Sequence, residues 1–132
     1  MARLDGHGDS INRHVTSIAF SPDGKSLATG SEAARIWDFE TRQETARLED
    51  DGRPVFSVAF SPDGKCLATG SEVARVWDLA TGREAARFEG HRRRVTRVAF
   101  SPEGTRLATG SDDATARLWD LATGQETSSR AI

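Results

Sequence analysis

Hydrophobic and polar residues alternate in short bursts along this chain, most clearly in its last third. Val95-Thr96-Arg97-Val98-Ala99-Phe100 is rich in β-branched residues and has the length of a strand. Ser101-Pro102-Glu103-Gly104 follows and reads as a turn. Proline pre-sets φ for the first corner, and glycine accepts the positive φ needed to leave it. The pattern then predicts a second strand over 106–111, a tight turn over 112–115 and a third strand over 116–120. A turn over 121–124 and a more polar fourth strand over 125–130 complete the unit. Four short antiparallel strands form one small sheet, with two faces to cover and two edges to protect.

The unit is copied. Phe-Ser-Pro-Asp/Glu-Gly begins at Phe20, Phe60 and Phe100, 40 residues apart both times. Each copy is followed by Leu-Ala-Thr-Gly-Ser and then by a Trp-Asp pair, with Trp37, Trp77 and Trp119 spaced by 40 and 42 residues. A fixed period of this length marks one structural unit in tandem, and stacking the copies covers their faces. The expected fold class is all-β: three four-stranded antiparallel sheets in a single domain over 1–132. The repeats fall at approximately 1–50, 51–90 and 91–132.

Composition narrows the function classes. The 132 residues are 36% hydrophobic and 29% charged, with a formal net charge of -2, so bulk charge does not favour nucleic acid or an anionic membrane. No run approaches ~18 apolar residues, the minimum for a membrane span. Met1-Ala2-Arg3-Leu4-Asp5-Gly6-His7 has no apolar core, so the expected location is cytoplasmic. Arginine outnumbers lysine heavily, as in GC-rich genomes, which hints at a bacterial source. The single cysteine, Cys66, has no internal disulfide partner. It stands where the sister repeats carry Ser26 and Arg106, so a solvent-facing position is expected.

The third repeat carries Gly90-His91, Phe100-Ser101-Pro102, Leu107-Ala108-Thr109-Gly110-Ser111, Asp113 and Trp119-Asp120. With this set the chain resembles the WD40 repeat family of β-propellers over nearly its whole length. The resemblance implies propeller blades and a non-catalytic scaffold that binds a protein or peptide, with no cofactor. It also implies a buried hydrogen-bond network in blade three of His91, Thr109, Asp113 and Trp119. The chemistry agrees: Asp113 can accept from the imidazole, Thr109 can bridge, and a buried indole N–H needs an acceptor.

Repeats one and two depart from the pattern. Ser31 to Trp37 and Ser71 to Trp77 are each two residues shorter than Ser111 to Trp119, and both lack the turn aspartate. Removing two residues keeps every later strand side chain on its own face. At the Gly-His position repeat two has Asp50-Asp51. Blades one and two are therefore expected to be held by apolar packing alone and to be less stable than blade three.

Propellers close with about four to eight blades, and three leave the ring open. Residues 1–6 resemble the outer strand of a preceding blade, since Ala2 to His7 matches Ala86 to His91. Either the chain is a piece of a longer protein, the preferred expectation, or copies complete one another as a homo-oligomer of two chains and six blades.

Catalytic and metal readings are weaker. His91, Thr109 and Asp113 mimic a hydrolase triad, but a mid-strand threonine is no exposed nucleophile. Gly24-Lys25-Ser26 ends like a phosphate-binding loop, yet the glycine needed five residues earlier is Ala19. His7, Asp9 and His14 lack the spacing of a metal site, so no metal is expected.

By the family resemblance, partners sit on the rim formed by the loop before the first strand and the turn between strands two and three. Matching positions are His14, Thr16 and Glu32; Pro54, Phe56 and Glu72; and Arg94, Thr96 and Asp112. Phe56 stands out as an apolar ring at a loop–strand junction, either a partner contact or tucked under a neighbouring loop. Arg92-Arg93-Arg94 is the densest charge cluster, either a solvated loop or a contact for an acidic peptide or phosphate. The alternative to a free-standing scaffold is a regulatory or structural module of a longer multidomain protein.

Overall fold

The computed structural model describes residues 14–49 and 52–131. Among them lie twelve strands and no helix. Blade one holds β1 (Ser17–Phe20), β2 (Ser26–Gly30), β3 (Ala34–Asp38) and β4 (Glu44–Leu48). Blade two holds β5 (Ser57–Phe60), β6 (Cys66–Gly70), β7 (Ala74–Asp78) and β8 (Arg83–Phe88). Blade three holds β9 (Val95–Phe100), β10 (Arg106–Ser111), β11 (Thr115–Asp120) and β12 (Glu126–Ala131). Each blade is one meander in sequence order. The fold is all-β, and the three sheets do not close on themselves.

Local chemistry repeats with the sequence. Ser21 O accepts from Gly24 N–H at 2.9 Å, and Gly24 sits at φ 73°. The Asp23 carboxylate accepts from Ser21 Oγ at 2.6 Å and Lys25 N–H at 2.9 Å, tying the turn from inside. The aspartate after each tryptophan does similar work one hairpin later. Asp38 Oδ1 accepts from Glu40 and Thr41 N–H, and Asp120 Oδ1 from Ala122 and Thr123 N–H.

The two-residue shortening leaves register intact. Thr29 faces Arg35 and Leu27 faces Trp37, just as Thr109 faces Arg117 and Leu107 faces Trp119. A bulge falls immediately before the tryptophan in all three blades.

Two cores of one design lie between the blades. The first joins Ala28, Ala34, Ile36 and Leu48 of blade one to Val55, Val58, Leu67 and Trp77 of blade two. The second joins Ala68, Ala74, Val76 and Phe88 to Val95, Val98, Leu107 and Trp119. Alanines leave room on one face, and the following blade fills it with valine, leucine and indole, close-packed as in any protein interior. The glycine ending the second strand matters here. A Cβ on Gly70 would lie 2.9 Å from Val95 O, and one on Gly30 would lie 3.1 Å from Val55 O. Glycine lets the next blade approach this closely without a shift, most strictly at Gly70. Val55 N–H donates to Ser31 O at 2.7 Å and Val95 N–H to Ser71 O at 2.6 Å, which fixes the height of one blade against the next.

Cys66 departs from expectation. It is half-buried and packs against the second core, which Phe100 and Leu121 of blade three also border. Burial, then the Asp63 and Asp78 carboxylates, pushes its thiol pKa up. That disfavours the thiolate.

Candidate functional site

Two clusters draw the polar side chains together. The first is inside blade three. Trp119 Nε1 donates to Thr109 Oγ1 at 2.9 Å, and His91 Nε2 lies 2.7 Å from the same oxygen. His91 Nδ1 lies 3.0 Å from Asp113 Oδ2. One tautomer satisfies the whole chain: Nδ1–H donates to Asp113, Nε2 accepts from the Thr109 hydroxyl, and the indole donates to that hydroxyl. Burial alone would raise the Asp113 pKa. Hydrogen bonds from Thr115 Oγ1, Arg92 N–H, His91 and Thr115 N–H outweigh it and hold this carboxyl well below the usual range. The side chains of His91 and Asp113 are 2% and 7% exposed, and Thr109 is 2% exposed. The Thr109 hydroxyl is closed off from solvent and taken up by the indole and imidazole, an arrangement that braces the blade.

Apolar packing alone does not hold blades one and two, which corrects the expectation. Trp37 Nε1 donates to Thr29 Oγ1 and Trp77 Nε1 to Thr69 Oγ1, each at 2.9 Å. The indole–threonine half of the network therefore survives the loss of the aspartate. A second polar pair spans the outer strands of every blade. Arg35 lies 3.3 Å from Glu44, Arg75 lies 3.2 Å from Glu84 and Arg117 lies 2.9 Å from Glu126. In blade one Glu32 also takes Arg35, at 2.5 Å, and accepts from Ser31 Oγ. Sequence reasoning missed this pair. Its signal was present: the arginine stands two residues before each tryptophan, and the glutamate seven after.

The second cluster is on the rim between blades. The Arg94 guanidinium of blade three lies 5.0 Å from the centre of the Phe56 ring of blade two, within cation–π range. Arg94 Nε donates to Asp112 Oδ2 at 2.6 Å. Thr16, Thr96 and Arg97 join these three around a shallow depression of about 360 Å³. Thr16 turns its hydroxyl inward to Val55 O, at 2.6 Å, and so bridges blades one and two. Of the other rim candidates, His14 and Pro54 are exposed. Glu72 lies 3.8 Å from Arg53, and Glu32 is drawn inward to Arg35. The structure thus gathers Thr16, Phe56, Arg94, Thr96 and Asp112, and leaves His14, Glu32, Pro54 and Glu72 outside the depression. Phe56 is half-buried, with the guanidinium as its cover.

Among the described residues no three His, Cys, Asp or Glu side chains cluster as metal ligands, and no helix is long and apolar enough to cross a membrane. His7, Asp9, Asp50, Asp51 and the strand expected over residues 1–6 lie outside the described residues.

Stacked four-stranded meanders with a threonine-bound tryptophan in each define a class: propeller-type repeat blades. The sequence profile of "WD domain, G-beta repeat" matches residues 1–38, 43–78 and 82–120, and the chain belongs to the WD-repeat family. A 46-residue stretch is 41% identical to mouse mitogen-activated protein kinase-binding protein 1. The match covers 32% of this chain and 3% of that far longer relative.

Proposed function

We propose that the chain is a non-catalytic scaffold that binds a protein or peptide on the rim where blades two and three meet. The carrying observation is the Phe56–Arg94–Asp112 arrangement, an aromatic ring under a guanidinium beside an open depression. Arg92, Arg93 and Arg97 are exposed nearby, which favours an acidic or phosphorylated peptide through bidentate contacts. The relative's name says that it binds a kinase; for this chain the likeness supports only the broader class, a protein partner.

A library of random and acidic peptides tests this. Enriched peptides should lose at least about tenfold in affinity against the Phe56→Ala, Arg94→Ala double variant, with its melting temperature unchanged. Equal affinity for the variant contradicts the rim site. A second reading, a regulatory or structural module within a longer protein, is favoured by the small fraction of the matched relative that the chain spans. Homo-oligomers that complete a ring are compatible with either.

A further inference from the structure

The exposed large hydrophobic residues of the described chain are Val15, Ile18, Phe20 and Phe39, 44–62% exposed. All four occupy the positions that build the internal junctions. Val55 and Val95 match Val15, Val58 and Val98 match Ile18, and all four valines are buried at 0–7%. Phe60 and Leu79 match Phe20 and Phe39 and pack on the first core. Blade one therefore presents, uncovered, the face that blades two and three insert into a neighbour.

Blade three carries the opposite face, also uncovered. Ala108 is exposed where Ala28 and Ala68 are fully buried, and Leu118 is half-buried where Ile36 and Val76 are 6% exposed. Gly110 is the telling position. A Cβ on Gly30 or Gly70 would press within 3.0–3.1 Å of a methyl of the next blade's valine, whereas a Cβ on Gly110 would meet only Arg97 Cβ, at 3.7 Å. The residue that makes room for an incoming valine is kept where no valine arrives.

We propose that this face of blade three receives Val15 and Ile18 of a second copy, so that two chains close head to tail in the register of the internal junctions. The second junction repeats the first, and six blades fall within the ~4–8 that propeller rings use. Arg97 and Arg130 stand where the inner junctions have Ser57 and Phe88, so the contact between copies is more polar and reverses on dilution. The assembly goes beyond the rim reading, which stands or falls separately.

Light scattering across a concentration series tests it with two variants. Ile18→Glu spoils only the inserting face, and Gly110→Val only the receiving face. The wild-type chain should approach the mass of two chains, and each variant alone should stay at one. An equal mixture should regain two-chain mass, since it keeps one intact junction. The Phe56→Ala, Arg94→Ala variant should assemble like wild type. A single-chain wild type, or assembly that Gly110→Val leaves untouched, overturns the proposal and points to another occupant. Failure of the mixture to recover overturns it as well.

Discussion

Trp119 Nε1 stands 2.9 Å from Thr109 Oγ1, and the same donor and acceptor meet at 2.9 Å in both shortened blades. The threonine hydroxyl is thus the fixed point of every blade. Among the described residues, a histidine with its aspartate extends it in blade three. Replacing Thr69 by valine keeps the shape and orphans one buried indole N–H, at a cost of about 1–3 kcal/mol. Thr109→Val removes the partner of two groups, Trp119 and His91, and should cost more. Urea midpoints of the two variants check the order.

Gly82 and Gly124 close the last hairpin of blades two and three at φ 73° and 74°, but blade one places Arg42 there at φ 63°. A left-handed non-glycine residue costs ~1–2 kcal/mol, partly offset by the entropy that glycine loses on folding. Arg42→Gly should therefore raise stability by about 0.5–1 kcal/mol, read as a shift in melting temperature. Ala114, at φ 68°, should respond to glycine in the same direction.

Carboxylates that hold turns set the acid limit. Asp113, Asp23, Asp38 and Asp63 all have pKa values below the ordinary 3.8 in the folded chain. A depressed folded pKa adds stability above the unfolded value, and that stability is lost as pH falls towards the folded one. Denaturant midpoints should be flat near neutrality and drop progressively below about pH 4. Asp113→Asn should remove part of that slope.

The junction glycines are not equivalent. Gly70→Ala places a Cβ 2.9 Å from a backbone oxygen of the next blade, and overpacking of this kind costs about 1–3 kcal/mol. Hydrogen exchange at Val95 and Val98 should accelerate in Gly70→Ala and stay unchanged in Gly110→Ala.

Much of the fold was legible because backbone chemistry repeats in the letters. Ser101-Pro102-Glu103-Gly104 marked a turn, and β9 and β10 begin and end where the pattern put them. The parity of the two-residue deletion also told correctly that Trp37 and Trp77 keep their faces. The polar contacts were less legible. Nothing local marked Arg35, Arg75 and Arg117 as paired, because a sequence does not show that a bulge brings the glutamate of the next strand beside them. Cys66 misled for a related reason. Substitution by serine and arginine in the sister repeats suggested solvent, whereas the fold covers that strand end to differing degrees. The cover over Phe56 comes from Arg94, 38 residues away, and no local pattern announces it.

The central claim is that each blade inserts its valines over the glycine of the blade before it. Nuclear Overhauser contacts test this directly. Val55 methyls should show contacts to the Gly30 α-protons, and Val95 methyls to those of Gly70. A folded, well-dispersed spectrum in which both sets are missing would contradict the stacked-blade account.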